Sequence, residues 1–144
     1  MRILLCGDTL GITQLLANVS TKDIVGIIAA AIRPQYFTEL TSIAEKAKVP
    51  IFIQPKWKST DYVEFKGKIF KNSPDIILVN SYRMIIRDDI LSIPRLGGLN
   101  LHTALLPRNR GCNPTKWEIL NKEFETGVTL HEMDSGIDTG PIID

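Results

Sequence analysis

Cysteine is scarce in this chain: only Cys6 and Cys112 occur, far apart and outside any metal-ligand spacing. They offer no disulfide framework and no metal site, and buried or idle thiols are the expectation. Long hydrophobic runs are missing as well. The N-terminal apolar stretch, Met1-Arg2-Ile3-Leu4-Leu5-Cys6-Gly7-Asp8, is too short for the core of a secretion signal, and no small-residue cleavage site follows it. It reads as the buried first strand of a cytoplasmic protein with no membrane partner. There is also no excess of charge of one sign. With 17 basic against 16 acidic residues and a net charge of +1, no global field draws a phosphate backbone, so nucleic acid is not favoured as a partner. The local basic excess of Lys46, Lys48, Lys56, Lys58, Lys66, Lys68 and Lys71 is spread over two predicted helices and a loop and reads as solvated faces. The glycine fingerprint of dinucleotide binding is incomplete, because Gly7 and Gly11 alone mark no more than a tight turn. Repeats, low-complexity segments and linkers are absent too.

What remains is an ordinary globular composition, 44% hydrophobic and 23% charged, over 144 residues. A chain of that length forms one domain, residues 1–144, burying roughly 68% of the surface its unfolded form exposes. Its periodicity alternates. Residues 3–5 read as a buried strand, and Leu10, Ile12, Leu15, Leu16 and Val19 then recur at helical spacing. Residues 24–31 are a second strand, ended at Arg33-Pro34, where the proline favours an extended residue 33. Phe37, Leu40, Ile43, Ala44 and Ala47 form a helical stripe, and residues 49–53 return as a strand. A helix over 60–71, a strand over 76–79, a short helix over 88–93 and a strand over 99–102 follow. Asn113-Pro114 predicts a helix start, with the Asn113 side chain accepting from a free backbone donor, and that helix runs to about residue 121. Residues 127–133 predict a last strand, with Val128 and Leu130 on one face and Thr129, His131 and Met133 on the other. Strands alternating with helices imply an α/β fold: an open, mostly parallel, twisted sheet with helices on both faces. Pro141-Ile142-Ile143-Asp144 reads as the beginning or middle of a further element, so the domain is expected to be short at its C-terminus.

In such a sheet ligands gather beyond the carboxyl ends of the strands. The segment after residue 79 mixes Ser81, Tyr82 and Arg83 with Met84, Ile85 and Ile86, a lining suited to a flat heterocycle anchored by backbone amides, although the apolar members also read as core. Asn100 and His102 stand two apart on one strand and so project to one side. An amide, an imidazole and a later carboxylate are the groups that manage a proton and a developing oxyanion in acyl transfer.

Asn100-x-His102, Leu105-Leu106-Pro107, Arg110-Gly111, Gly127-Val128-Thr129 and Asp138-Thr139-Gly140, in this order, resemble the formyltransferase family that uses 10-formyltetrahydrofolate. The resemblance extends more loosely through the first strand, Val49-Pro50 and Pro74-Asp75-Ile76-Ile77, and so spans nearly the whole chain. It implies a Rossmann-like formyltransferase fold, 10-formyltetrahydrofolate as formyl donor, no metal, and Asn100, His102 and Asp138 as the catalytic trio. Asn100 and protonated His102 would donate to the oxyanion, His102 would carry the amine's proton, and Asp138 would orient it. Asp134 competes for the carboxylate role, but only Asp138 stands in the family-like Asp-Thr-Gly. The resemblance also implies that Ser81, Tyr82, Arg83, Met84 and Ile85, with Asp134 and Gly136 from the 133–138 loop, hold the pterin of the folate. His131 falls outside the trio and reads as structural. Ala104 stands where the family commonly has serine.

Arg110, Gly111, Asn113 and Trp117 resemble the members that formylate an amino group on a nucleotide-linked sugar, and on that reading they bind the acceptor. The implied partner is thus a small molecule, with a homodimer left open. Methionyl-tRNA or glycinamide ribonucleotide as acceptor, and a non-catalytic folate-binding or interaction module, stand as the alternatives.

Overall fold

The computed structural model describes residues 1–30 and 34–144. The expectation of an extended residue 33 lies outside the described residues. The chain runs β1 (Ile3–Gly7), α1 (Thr9–Asn18), β2 (Ile24–Ala30), α2 (Pro34–Ala47), β3 (Ile51–Gln54), α3 (Thr60–Asn72), β4 (Ile76–Asn80), α4 (Asp88–Leu91), β5 (Gly98–His102), α5 (Pro114–Leu120) and β6 (Thr129–Glu132). The strands form one sheet in the order β3-β2-β1-β4-β5-β6, parallel throughout except for β6, which pairs antiparallel with β5.

The central strands are buried on both faces, which is why β1 and β2 are nearly continuous apolar runs rather than alternating ones. Alternation reappears in which layer each side chain enters. Ile3 and Leu5 pack with Ile12 and Leu15 of α1 and Leu40 and Ala44 of α2. Leu4 and Cys6 pack with Tyr62, Phe65 and Ile69 of α3 and Ile90 of α4. Each fully buried aliphatic side chain is worth about 1.5–3 kcal/mol relative to exposure, so both layers are needed to hold the sheet.

The order reverses between β1 and β4, where successive connections leave in opposite directions and a crevice opens beyond the strand ends. The turn from β1 into α1 is drawn tightly against the end of β4. The Asp8 N–H donates to Ser81 O at 3.0 Å, and at both Gly7 and Gly11 the position of an added Cβ falls on the carbonyl of Asn80. Asp8 also caps α1, its carboxylate accepting from the Gly11 N–H at 2.9 Å.

Some local expectations change. Asn113 does precede α5, but it adopts left-handed φ 56° and makes no side-chain cap; its amide turns to Cys112 Sγ at 2.9 Å. A left-handed residue points its side chain away from the free N–H groups of the first turn, so the capping geometry is lost. The last strand is shorter than residues 127–133, and its polar face is the inward one: Thr129 and His131 are buried while Val128 is exposed. α5 is likewise turned over. Glu118 is buried and accepts from the Thr126 hydroxyl at 2.8 Å, whereas Trp117, Ile119 and Leu120 face outward.

Candidate active site

β5 carries the first two candidate side chains to the crevice. Its odd residues, Leu99 and Leu101, pack against the α1–α2 core, so Asn100 and His102 project to the opposite side. Antiparallel pairing then sets His131 of β6 directly across from Asn100. The third group arrives from the loop after β6, where Asp138 sits at φ 52°, a left-handed conformation that Asp tolerates better than most residues.

Asp138 is the hub. One carboxylate oxygen accepts from the Asn100 amide at 3.2 Å and lies 3.4 Å from His131 Nε2. The other accepts from the Gly111 N–H at 2.8 Å and lies 3.4 Å from His102 Nδ1. His102 Nε2 meets the carbonyl of Asn109 at 2.8 Å, and a carbonyl only accepts, so that nitrogen carries a proton. By the same reasoning His131 Nδ1, 2.7 Å from its neighbour's carbonyl at Glu132, is protonated. In the neutral ring its Nε2 then accepts from the Asn100 amide at 3.1 Å. His131, read from sequence as structural, therefore belongs to the same hydrogen-bonded cluster.

The loop that presents Asp138 is braced from within. The Asp134 carboxylate accepts from the Thr139 hydroxyl at 2.6 Å and from the Gly136 N–H at 3.0 Å. The Thr139 hydroxyl is the main reason its carboxyl is held below the usual range. Asp134 thus shapes the turn, and of the two carboxylates it is Asp138 that touches Asn100 and His102. On the other flank, Thr129 accepts from the Leu106 N–H at 3.1 Å and donates to Ala104 O at 2.7 Å, which fixes the segment following β5. Ala104 is fully buried, so a serine hydroxyl there would point into protein.

Around the cluster lies a cleft of about 660 Å³, within the range of small-molecule sites. Ser81, Tyr82, Arg83, Met84 and Ile85 line it, together with Asp134, Gly136, Gly111 and Asn113. Arg110 and Trp117 do not line it; both are exposed, Trp117 on the outer face of α5. One residue that sequence reasoning missed anchors the 81–86 loop. Gln54, at the end of β3, accepts from the Tyr82 hydroxyl at 2.8 Å and donates to Ile85 O at 2.9 Å. Burial is the first cause that pushes the Tyr82 phenol well above its ordinary range, which keeps it a donor.

Comparison with known proteins decides the family: the Formyl transferase family matches the chain over residues 1–144. The chain belongs to that family. Among this member's relatives, the bifunctional polymyxin resistance protein ArnA of Wigglesworthia glossinidia brevipalpis is 41% identical over 108 residues, 75% of the chain. The methionyl-tRNA formyltransferase of Buchnera aphidicola subsp. Baizongia pistaciae is 40% identical over 136 residues, 90% of the chain. Both are longer proteins, of which this family member spans 16% and 41% respectively. In fold it is similar to glycinamide ribonucleotide transformylase 1 from Symbiobacterium toebii, with TM-score 0.81 and 19% identity, covering all of this chain and 71% of that one. It is also similar to WlaRD, a sugar 3N-formyl transferase solved with dTDP and 5-N-formyl-THF, with TM-score 0.66 and 24% identity, covering all of this chain and 50% of that one.

Proposed function

We propose that this domain transfers the formyl group of 10-formyltetrahydrofolate to a primary amine, the amino group of a nucleotide-linked sugar. The observation that carries the reading is the single carboxylate of Asp138, hydrogen-bonded to the Asn100 amide and 3.4 Å from His102 Nδ1, at the edge of a cleft of folate-compatible size. The amine nitrogen attacks the formyl carbon, the carbonyl oxygen becomes negative, and collapse breaks the bond to the folate nitrogen, which takes up the proton the amine gives off. Asn100 and His102 are the donors for that oxygen, and Asp138 fixes the ring of His102. Preorganised donors of this kind are worth about 3–4 kcal/mol each. Within the domain both amide hydrogens of Asn100 and the Nε2 proton of His102 are held by internal acceptors. A formyl oxygen must exchange with one of those acceptors to be stabilised. Residues 81–86 and residues 133, 134 and 136–138 all line the cleft, a mixed apolar and polar lining that suits a flat pterin.

For the acceptor, the support is the segment Gly111-Cys112-Asn113-Pro114, which lines the cleft, and a net charge of +1, which gives no electrostatic capture of a large polyanion. The Buchnera methionyl-tRNA formyltransferase, matched over 90% of the chain, favours methionyl-tRNA as a second reading. Release of tetrahydrofolate on mixing with the donor and a panel of nucleotide-linked amino sugars, methionyl-tRNA and glycinamide ribonucleotide separates them. Turnover is expected with an amino sugar and is expected to vanish in His102→Ala. Folate binding without turnover on any acceptor overturns the reading in favour of a non-catalytic module.

His131 gives a second test of the cluster. In His131→Ala the Asn100 amide loses an acceptor inside the protein, and kcat is expected to fall by about 10–100-fold with KM for the donor little changed. His131→Gln, which can still accept, is expected to recover part of the loss. Equal kcat in wild type and alanine variant refutes a positioning role.

A further inference from the structure

Gln54 is the last residue of β3, an outer strand of the sheet, and two strands, β2 and β1, separate it from β4, where residues 81–86 begin. It is buried and does not itself line the cleft. A buried amide needs partners wherever it lies, but both side-chain partners of this one belong to a single segment. Its oxygen accepts from the Tyr82 hydroxyl at 2.8 Å and its nitrogen donates to Ile85 O at 2.9 Å. Tyr82 and Ile85 line the cleft, and so do Arg83 and Met84 between them.

The pattern of donors and acceptors admits few substitutes. Ile85 O can only accept, which turns the amide nitrogen of Gln54 toward it and leaves the amide oxygen for the Tyr82 O–H. Asparagine is one methylene short, and an ionised glutamate would set an oxygen against the Ile85 carbonyl. The phenol is also hydrogen-bonded to the Cys6 thiol of β1, and burial pushes both groups up, so both stay neutral. At the start of the segment, Ser81 O accepts from the Asp8 N–H at 3.0 Å, and Ser81 itself holds left-handed φ 56°. The stretch from Ser81 to Ile85 is thus tied at both ends, at its start to the β1–α1 turn and at its end to β3.

We propose that Gln54 is a positioning residue for the formyl donor: by tying Tyr82 and Ile85 to the end of β3, it sets where the cleft-lining residues 81–85 stand against the flat ring of the folate. A lining that anchors a heterocycle through main-chain groups can adjust only if the whole loop moves. A displacement of about 1 Å carries a hydrogen bond from its optimum past its useful range, so a group outside the cleft can govern affinity within it. The inference rests on the reading of this cleft as the 10-formyltetrahydrofolate site.

The test is the affinity of wild type and of two Gln54 variants for 5-formyltetrahydrofolate, measured by titration calorimetry at about pH 8.5 and about pH 6, well below each melting temperature. Gln54→Leu, which removes both hydrogen bonds, is expected to bind about tenfold more weakly than wild type at either pH. Gln54→Glu is expected to be about tenfold weaker at the higher pH, where its carboxylate opposes the Ile85 carbonyl. Burial raises that carboxyl, and once protonated it offers one O–H donor and one acceptor in place of the amide. At the lower pH its affinity is therefore expected to return to within about threefold of wild type. A role confined to the stability of the fold would give no such recovery, and Gln54→Glu carries the test if Gln54→Leu fails to fold. Wild-type affinity in either variant at the higher pH overturns the proposal, as does a Gln54→Glu deficit that is the same at both pH values. If these affinities behave as expected while no acceptor is formylated, the transfer reading falls and the positioning role stands. Normal turnover with unchanged donor affinity in Gln54→Leu would do the reverse, and a wild type that binds no folate would remove both.

Discussion

Asp138→Asn is expected to lower kcat/KM by about 10²–10³-fold while leaving donor affinity within about threefold of wild type. Four groups converge on this carboxylate: the Asn100 amide, His102, His131 and the Gly111 N–H. Asparagine preserves the size of the side chain and tolerates the left-handed backbone at φ 52°, so the loss reads on charge and hydrogen bonding rather than on the fold. Asp134→Asn is the control. Its side-chain oxygen still accepts from Thr139 and Gly136, and near-normal activity is expected. If the Asp138 variant kept normal turnover while the Asp134 variant lost it, the carboxylate has been assigned to the wrong residue. A thermal melt of each variant separates loss of chemistry from loss of structure.

Gly11→Ala is expected to destabilise the domain by about 3 kcal/mol, seen as a melting temperature lower by roughly 10 °C. Helix propensity alone predicts the reverse, since alanine is favoured over glycine inside a helix by about 1 kcal/mol. Space decides. The new Cβ would lie 2.2 Å from the Asn80 carbonyl oxygen and 2.9 Å from its carbon, both backbone atoms that cannot rotate away. Gly67 in α3 supplies the contrast, having nothing within 4 Å of its Cβ position, so Gly67→Ala is expected to stabilise by about 0.5–1 kcal/mol. A melting temperature of Gly11→Ala equal to that of wild type would show that the β1–α1 turn is not pinned to β4 as described.

The layered architecture was legible because its signals are local. Apolar runs of strand length and stripes of helical spacing placed every strand and helix to within a few residues, and the two-residue step from Asn100 to His102 fixed their common side. What escaped depends on pairing and orientation. His131 joins the cluster only because β6 runs antiparallel to β5 in the register that sets it opposite Asn100, and nothing within residues 127–133 encodes that register. Gln54 is remote in sequence from the loop it anchors. Asn113 carries the right residue type for a cap, yet its left-handed backbone aims the side chain elsewhere. α5 misleads by composition, since its apolar residues face outward and its one buried side chain is a glutamate. Sequence likeness drew attention to Arg110 and Trp117 as well, but neither borders the cleft.

The partners in the cluster stand far apart along the chain. Asn100 meets His131 across 31 residues and Asp138 across 38. During synthesis the residues of β1 to β5 all emerge before Asp138, the carboxylate that Asn100 and His102 lie against. A ribosome stalled after β5 would therefore present Asn100 before either His131 or Asp138, the two partners its amide holds in the folded domain, has been made.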